Sequence, residues 1–206
     1  MLRLRQRAFA FSYDFLGKSA DRGVYKEYRE YVAGQATGRI LEIGAGTGAN
    51  LGYYPADADL TLSDPNPFML ERLERKASDQ GISVRTDHHA GEELPYADGS
   101  FDTVVSTLVM CSVSDPARSI VEIARILKPG GDFRFMEHVR GEGFIRERFQ
   151  DLMTPLWRAF GDGCHPNRST VSTIRQSGME IAETRSFTFG PYPFRPHVAG
   201  VARKPD

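Results

Sequence analysis

Residues 39–50 read RILEIGAGTGAN, and this stretch decides the fold class. Positions 39–43 contain the short apolar run of a buried parallel strand. The glycines that follow allow a sharp turn and let a ligand approach without meeting a Cβ atom. Asn50 then opens a segment expected to bring a helix N-terminus towards that ligand. Strand, glycine turn and helix predict the first crossover of a nucleotide-binding α/β domain. The cofactor-binding candidates of the turn are Gly44, Ala45, Gly46, Gly48 and Asn50.

Two acidic residues indicate which nucleotide binds. The stretch also fits the G-x-G-x-x-A pattern of dinucleotide sites, but Glu42, two residues before the first glycine, would be a poor neighbour for a pyrophosphate. A carboxylate there suits a ligand with an ammonium group. Asp64 ends the next apolar run, where a carboxylate accepts hydrogen bonds from ribose hydroxyls. An amino group and a ribose without phosphate describe S-adenosyl-L-methionine, which we predict as the cofactor. For the glycines alone, an ordinary tight turn is the alternative.

Composition limits the remaining classes. The 206 residues suit one domain, and 40% apolar with 26% charged residues is typical of a soluble globular protein. A net charge of −1 gives no reason to expect nucleic acid as a partner. No apolar run reaches the ~20 residues of a membrane span, and we expect a cytoplasmic protein. Because Cys111 and Cys164 form no C-x-x-C pair, the spacing predicts no disulfide framework and no metal site. Adjacent His88 and His89 are expected to be ordinary loop residues.

Strands and helices alternate along the chain, which predicts a doubly wound, mostly parallel sheet with helices on both faces of a single domain. Apolar runs predict strands over 40–43, 60–63, 82–86, 101–110, 133–137, 180–187 and 196–202. Helices are expected over 25–33, 68–80, 116–127 and, with Pro155 bending the first of them, twice within 139–178. We therefore divide the chain into an N-terminal lid or helical segment (1–35) and a cofactor-binding domain (36–206) whose residues 139–178 form a helical acceptor-site segment.

The N-terminal segment mixes arginines with aromatic residues over Leu2–Leu16. We favour a lid whose aromatic side chains pack over the domain. Weak contact with a membrane surface is the alternative, because basic amphipathic segments lie on anionic lipid. An apolar stripe over 145–160 has helical spacing, which predicts core packing and also a wall of the acceptor pocket.

Residues at strand ends carry the other site predictions, because ligands of open α/β folds bind at the carboxyl edge of the sheet. Thr107, Leu108 and Cys111 end the fourth strand, beside the expected position of the reactive methyl group. Methyl transfer needs no covalent enzyme intermediate, so a buried Cys111 is favoured over a nucleophilic one. His138 ends the fifth strand and is the candidate general base for a hydroxyl acceptor. A thiol, with a pKa of about 8.5, needs no strong base. Bonding to loop backbone is the alternative for His138.

These residues resemble the class I S-adenosylmethionine-dependent methyltransferases along nearly the whole chain. The resemblance rests on the Glu-x-Gly-x-Gly-x-Gly turn, the strand-end acid, the Ala-Gly-Glu loop at 90–92 and the Leu-Lys-Pro-Gly-Gly turn at 127–131. It implies seven strands with the last one antiparallel, Gly91 and Glu92 near adenine, and cofactor contacts from the turn of Asp64, Pro65 and Asn66.

The chain is more specifically similar to the animal alkyl-thiol S-methyltransferases of the methyltransferase-like family. This similarity includes GTGAN at 46–50 and DPNP at 64–67, and, outside the general cofactor pattern, DGSFDTVVSTLVMCSV at 98–113, FMEHV at 135–139, DGC at 162–164 and RPH at 195–197. It implies a shared acceptor site and a thiol acceptor. The animal proteins begin with a hydrophobic membrane anchor that this sequence lacks, so membrane attachment is not implied.

The sequence leaves the acceptor open. A small, largely apolar thiol is favoured, and O-, C- or N-methylation of a phenol, a quinone or a phospholipid is the alternative. A nicotinamide-dependent reductase on the same fold is disfavoured by Glu42. A binding module that has lost its acceptor site is a third hypothesis, and the oligomeric state is not indicated.

Overall fold

A seven-stranded sheet organises the residues that the computed structural model describes, which are 23–160 and 163–206. The strand order is β3-β2-β1-β4-β5-β7-β6, and β7 is antiparallel to both of its neighbours while the other pairs are parallel. This confirms the predicted mostly parallel sheet. The strands are β1 (Arg39–Ile43), β2 (Asp59–Ser63), β3 (Arg85–Asp87), β4 (Phe101–Thr107), β5 (Leu127–His138), β6 (Glu180–Thr188) and β7 (Pro196–Arg203).

Two of the helices begin where their sequences predict. Asn66 caps one helix through its side-chain oxygen, which accepts from the Phe68 N–H at 3.1 Å, and Asp115 caps another by accepting from Arg118 N–H at 3.0 Å. Each cap is followed by a proline, whose missing N–H costs nothing in the first helical turn. The helices are α1 (Val24–Val32), α2 (Pro67–Asp79), α3 (Pro116–Ile126), α4 (Phe144–Phe160) and α5 (Thr170–Gln176).

The sheet buries both of its faces. Ile40 of β1 packs on one face with Val32 of α1 and Leu73 of α2. Its neighbour Leu41 points to the other face and packs with Ile120 of α3. Because side chains alternate along a strand, a helix layer on each side is needed to bury such a continuous apolar run.

The segment after β1 departs from the prediction. No helix follows the glycine turn; residues 46–53 form successive tight turns, with Gly48 N–H donating to Ala45 O at 2.9 Å. The glycines at 44, 46 and 48 have φ angles of +60°, +55° and +76°. Left-handed residues cannot continue an α-helix, so none forms over the glycines. From Asn50 the tight turns continue, with Tyr53 N–H donating to Asn50 O at 2.9 Å in place of the four-residue bond of an α-helix, so the helix expected from Asn50 onwards is wrong.

Other strand boundaries also differ. β3 covers only Arg85–Asp87 rather than 82–86. β4 stops at Thr107 rather than at 110, because Leu108 has a φ of 61° and leaves the extended conformation. β5 starts at Leu127, which pairs with Phe101 before the glycine turn at 130–131 interrupts the ladder.

The sequence predicts that the apolar stripe of α4 packs in the core, and this prediction is wrong. Ile145, Leu152 and Leu156 are 81%, 73% and 55% exposed. The buried face of α4 is polar instead: the Gln150 side chain accepts from Gly141 N–H at 2.9 Å and donates to Pro166 O at 2.9 Å. The helix is thus held by hydrogen bonds to the loops on either side of it.

Within residues 23–160 and 163–206, none of the helices is long and apolar enough to cross a bilayer. The predicted lid or membrane-contact stretch Leu2–Leu16 lies outside the described residues.

Candidate active site

The carboxylate of Asp64 holds the glycine turn against the end of β2. Its two oxygens accept from Gly46 N–H at 2.9 Å and from Asn66 N–H at 2.8 Å, and Ala45 N–H donates to Ser63 O at 3.0 Å. A carboxylate oxygen accepts more than one hydrogen bond, so ribose hydroxyls can bind the same group. Asp64 thus lies directly after β2, and its contact with ribose hydroxyls stays a prediction.

Glu42 is the acid at the centre of a buried network. It is 2% exposed, and its oxygens accept from Asn50 Nδ2 and from the Tyr54 hydroxyl, each at 2.7 Å. Arg29 Nη1 donates to Asn50 Oδ1 at 2.7 Å, and Asn50 Nδ2 also donates to Thr107 Oγ1 at 3.1 Å. Burial raises the pKa of Glu42 to about 7, although the hydrogen bonds and the Arg29 charge lower it.

Arg29 is a candidate site residue that the sequence did not indicate. It lies on α1, well before the glycine turn, and is nevertheless buried beside it. A guanidinium and a carboxylate in one buried network match the two charges of an α-amino acid, which is the part of S-adenosylmethionine that bears the ammonium group. A lone arginine in an amphipathic helix gave no signal of this role.

The loop after β3 reaches the same edge of the sheet. Ser63 Oγ donates to His89 O at 2.9 Å, which brings the loop beside the end of β2. Gly91 is buried, and the carboxylate of Glu92 accepts from Ser114 N–H at 2.7 Å and so supports the start of α3. The positions of Gly91 and Glu92 agree with a role near the cofactor, and their contact with adenine stays a prediction, as do the contacts of Pro65 and Leu108.

Glu137, at the end of β5, fixes the loop that follows β4. It is fully buried, and it accepts from Ser106 Oγ at 2.7 Å, Val109 N–H at 3.0 Å and Cys111 N–H at 3.3 Å. Burial raises its pKa. The sequence predicted Glu137 only as a strand residue, yet its carboxylate sets where Cys111 lies.

His138 faces two sulfur atoms. Its Nδ1 lies 3.8 Å from Cys111 Sγ and 3.6 Å from Cys164 Sγ, and both cysteines are buried and free of disulfides. The pKa of the Cys164 thiol is lowered by its contact with Cys111 and by the neighbouring His138. The pKa of the Cys111 thiol is raised by its contact with Cys164 and by burial. Neither sequence hypothesis for His138, as a base or as a partner of loop backbone, anticipated this pair.

A second histidine lies against the first. The rings of His138 and His197 are 4.1 Å apart. His197 Nδ1 lies 2.9 Å from Arg195 O, and because a carbonyl only accepts, this nitrogen carries the proton. The Tyr25 hydroxyl, at 2.8 Å, then donates to Nε2. Burial and the His138 charge lower the pKa of His197 to about 3, so the ring is neutral.

Aromatic side chains surround the histidines. Phe187 stacks on Tyr28 at 3.7 Å and on His197 at 4.9 Å, and Trp157 of α4 packs on Phe194 at 4.4 Å. Helix α4 and the loop after β6 therefore meet beside the cysteine–histidine cluster. The sequence predicts the α4 stripe as a wall of the acceptor pocket, and this role stays a prediction.

Four stretches outside the general cofactor pattern thus converge. These stretches supply Cys111, His138, Cys164 and His197, and His138 lies in contact with each of the other three. The site joins the buried Arg29–Asn50–Glu42 network beside the glycine turn to a sulfur- and imidazole-rich cluster at the carboxyl edge of the sheet.

Comparison with known proteins identifies relatives for most of the chain. A family model described as a methyltransferase domain matches residues 41–135. Human thiol S-methyltransferase TMT1A is 33% identical over 204 residues, covering 95% of this chain and 83% of that protein. Rat thiol S-methyltransferase TMT1B is 34% identical over 197 residues, covering 91% and 79%.

Among solved structures, the cyclase SpnF superposes with a TM-score of 0.72 at 22% identity, covering 91% of this chain and 82% of that one. This likeness concerns the fold alone, because one fold supports many reactions.

Proposed function

Because the chain belongs to the S-adenosylmethionine-dependent methyltransferases, we propose that it methylates the sulfur of a small, largely apolar thiol. Family membership removes the nicotinamide-dependent reductase as a competing class. The proposal concerns the acceptor and the residues that act on it.

The convergence of Cys111, His138, Cys164 and His197 carries the proposal. These residues come from the four stretches on which the resemblance to the alkyl-thiol S-methyltransferases rests outside the cofactor pattern, and Cys111 and His138 follow the ends of β4 and β5, beside the predicted methyl position. Their contacts with one another support the shared acceptor site that this resemblance implies.

The residues around the glycine turn fit the cofactor. Asp64 would hold the ribose hydroxyls, while Arg29 and the Glu42–Asn50 pair would meet the carboxylate and ammonium ends of the amino acid. The left-handed glycines at 44, 46 and 48 keep side chains out of the turn. When bound, S-adenosylmethionine supplies a methyl group on an activated sulfonium.

The protein must then hold the acceptor in line and exclude water. The acceptor sulfur forms a bond to the methyl carbon as the carbon–sulfur bond of the sulfonium breaks. The thiol proton is released, and the products are a methyl thioether and S-adenosylhomocysteine. A thiol gives up its proton more readily than an alcohol, so the reaction needs no dedicated carboxylate base.

The aromatic surroundings favour an apolar acceptor. Tyr28, Trp157, Phe187 and Phe194 contribute ring surfaces near the cluster, and burying a charged acceptor against them would be costly without a partner. Small alkyl and aryl thiols satisfy both the chemistry and the surroundings.

A panel of acceptors tests the proposal. The full chain is incubated with S-adenosylmethionine and an alkyl thiol, a phenol, a quinol or a phospholipid, and release of S-adenosylhomocysteine is measured. We expect kcat/KM for the thiol to exceed the others at least tenfold, and Asp64→Ala to lower every rate that is observed. Turnover of the phenol, quinol or phospholipid without turnover of thiols would replace the thiol assignment by O-, C- or N-methylation. Absence of any turnover in a protein that binds the cofactor would favour a non-catalytic module.

A further inference from the structure

We propose that Cys111, His138 and Cys164 bind one thiophilic divalent metal ion, with zinc as the best match. The sequence predicted no metal site, because its cysteines are far apart and form no C-x-x-C pair. The fold brings the three side chains together from the end of β4, the end of β5 and the loop before α5.

The distances between the ligand atoms are those of a tetrahedral site. Zinc lies about 2.3 Å from sulfur and about 2.0–2.1 Å from nitrogen, so sulfur and nitrogen ligands at tetrahedral angles are about 3.6 Å apart. Here the two sulfur–nitrogen distances are 3.6 and 3.8 Å. All three ligand atoms lie within 4.8 Å of one another, so one ion placed between them reaches each with little movement.

Charge supports the same assignment. Cys111 and Cys164 are 1% and 6% exposed, so two thiolates at these positions would be buried without a compensating charge. A dication bound to two thiolates and a neutral imidazole gives a site with no net charge, which removes the cost of burying the anions.

The surroundings hold the ligands and offer a further donor. Cys111 is fixed by its N–H bond to Glu137 and by His165 N–H, which donates to Cys111 O at 2.6 Å. The indole N–H of Trp157 lies beside Cys164 and, within the described residues, is buried without a hydrogen-bond partner of normal geometry. A metal-bound thiolate accepts hydrogen bonds, so it would use this donor, as groups around metal ligands commonly do.

Three protein ligands leave a fourth position for substrate, as in catalytic rather than structural zinc sites. In this step the inference rests on the proposed function: the acceptor thiol binds the open position as a thiolate, its proton passing to solvent, and is held beside the methyl group. A disulfide between the cysteines is the main competing explanation. It needs an oxidant and gives His138 no role.

Cobalt substitution tests the metal site without cofactor, acceptor or turnover. The full chain is reduced, stripped with a chelator and titrated with Co²⁺. We expect one equivalent to give the intense visible absorption of tetrahedral cobalt and a thiolate-to-cobalt charge-transfer band, both abolished by one equivalent of Zn²⁺. Cys164→Ser and His138→Asn should each weaken binding about 10-fold or more, while His88→Asn, a loop histidine outside the cluster, should not.

A reduced wild-type protein that gives no charge-transfer band would overturn the metal site, whether or not the variants fold. Full retention of the band in Cys164→Ser would do the same. If the fourth position is open, ethanethiol added to the cobalt protein should bind the ion there and shift the charge-transfer band. Thiol methylation at full rate by metal-free protein would reject the metal's role in acceptor binding and leave the proposed function standing. A protein that binds the metal but methylates no thiol would reject the proposed function and leave the metal site standing.

Discussion

At the scale of single residues, Glu42 of the proposed cofactor site makes the stability of the fold depend on pH. Its carboxyl group is buried, and burial raises its pKa from 4.5 to about 7. Between these two values the folded protein keeps a proton that the unfolded chain has lost. The free energy of unfolding therefore falls as the pH rises from about 4.5 to about 7, and this contribution is constant above that range.

Replacing Glu42 by glutamine should remove this pH dependence. A glutamine cannot ionise, so the stability of Glu42→Gln relative to the wild type should increase by about 2–3 kcal/mol between pH 5 and pH 8. Urea unfolding of the cofactor-free proteins at both pH values measures the difference. Glu93→Gln, at an exposed position of the loop after β3, is the matched control and should show no such change. Parallel pH profiles for Glu42→Gln and the wild type would show that Glu42 is ionised throughout.

Asp64 tests the ribose contact. Its carboxylate accepts backbone hydrogen bonds from the glycine turn, and we expect it to accept two more from the cofactor. A hydrogen bond to a charged group contributes about 1.5–3 kcal/mol, so the loss of even one of the two in Asp64→Ala should lower the affinity for S-adenosylmethionine about 10- to 150-fold. Calorimetry on folded protein measures this, with Asp57→Ala in an exposed turn as the control. Unchanged affinity in a folded Asp64→Ala protein would mean that the ribose lies elsewhere.

At the scale of elements, α1 connects the two halves of the site. Its Arg29 reaches the Glu42–Asn50 network, and one turn earlier its Tyr25 bonds to His197 beside the cysteine cluster. The sequence predicted this helix correctly, but residue type and helical spacing say nothing about which edge of the sheet a helix crosses. Only the packing of α1 against β5 and β7 reveals its role.

Arg29→Met tests whether α1 contributes to cofactor binding. The variant loses the positive charge that stabilises the buried Glu42 carboxylate and that is proposed to meet the carboxylate of the cofactor. The affinity for S-adenosylmethionine should therefore fall at least tenfold, and Arg29→Lys should have an affinity between those of Arg29→Met and the wild type. Lys26→Met, on the exposed side of the same helix, should bind normally. Equal affinities for Arg29→Met and Lys26→Met in calorimetry would remove Arg29 from the site.

Helix α4 shows where periodicity misleads. Its apolar spacing predicted a core stripe, yet that stripe is exposed, and the helix is anchored to the neighbouring loops through Gln150. An apolar period specifies one face of a helix without specifying what covers it. Hydrogen bonds to neighbouring loops, which leave no periodic signal, decided the orientation.

At the scale of the whole molecule, local patterns were enough for the fold and for half of the site. The run at 39–43, the glycine turn and Asp64 are close in sequence, so their joint position followed from strand and turn chemistry. Cys111 and His138 both follow parallel strands and meet because β4 and β5 are neighbours. Cys164 joins them only because α4 and its loops return the chain to that edge, which no spacing in the sequence indicates.

The central claim is that a thiol receives the methyl group, and identification of the product tests it most directly. The full chain is given S-adenosylmethionine with a deuterated methyl group and a simple alkyl thiol, and the products are resolved by mass spectrometry. We predict a methyl thioether containing all three deuterium atoms, formed in equal amount with S-adenosylhomocysteine. No labelled thioether from any alkyl or aryl thiol, with label appearing instead on oxygen, carbon or nitrogen of another acceptor, would contradict the account.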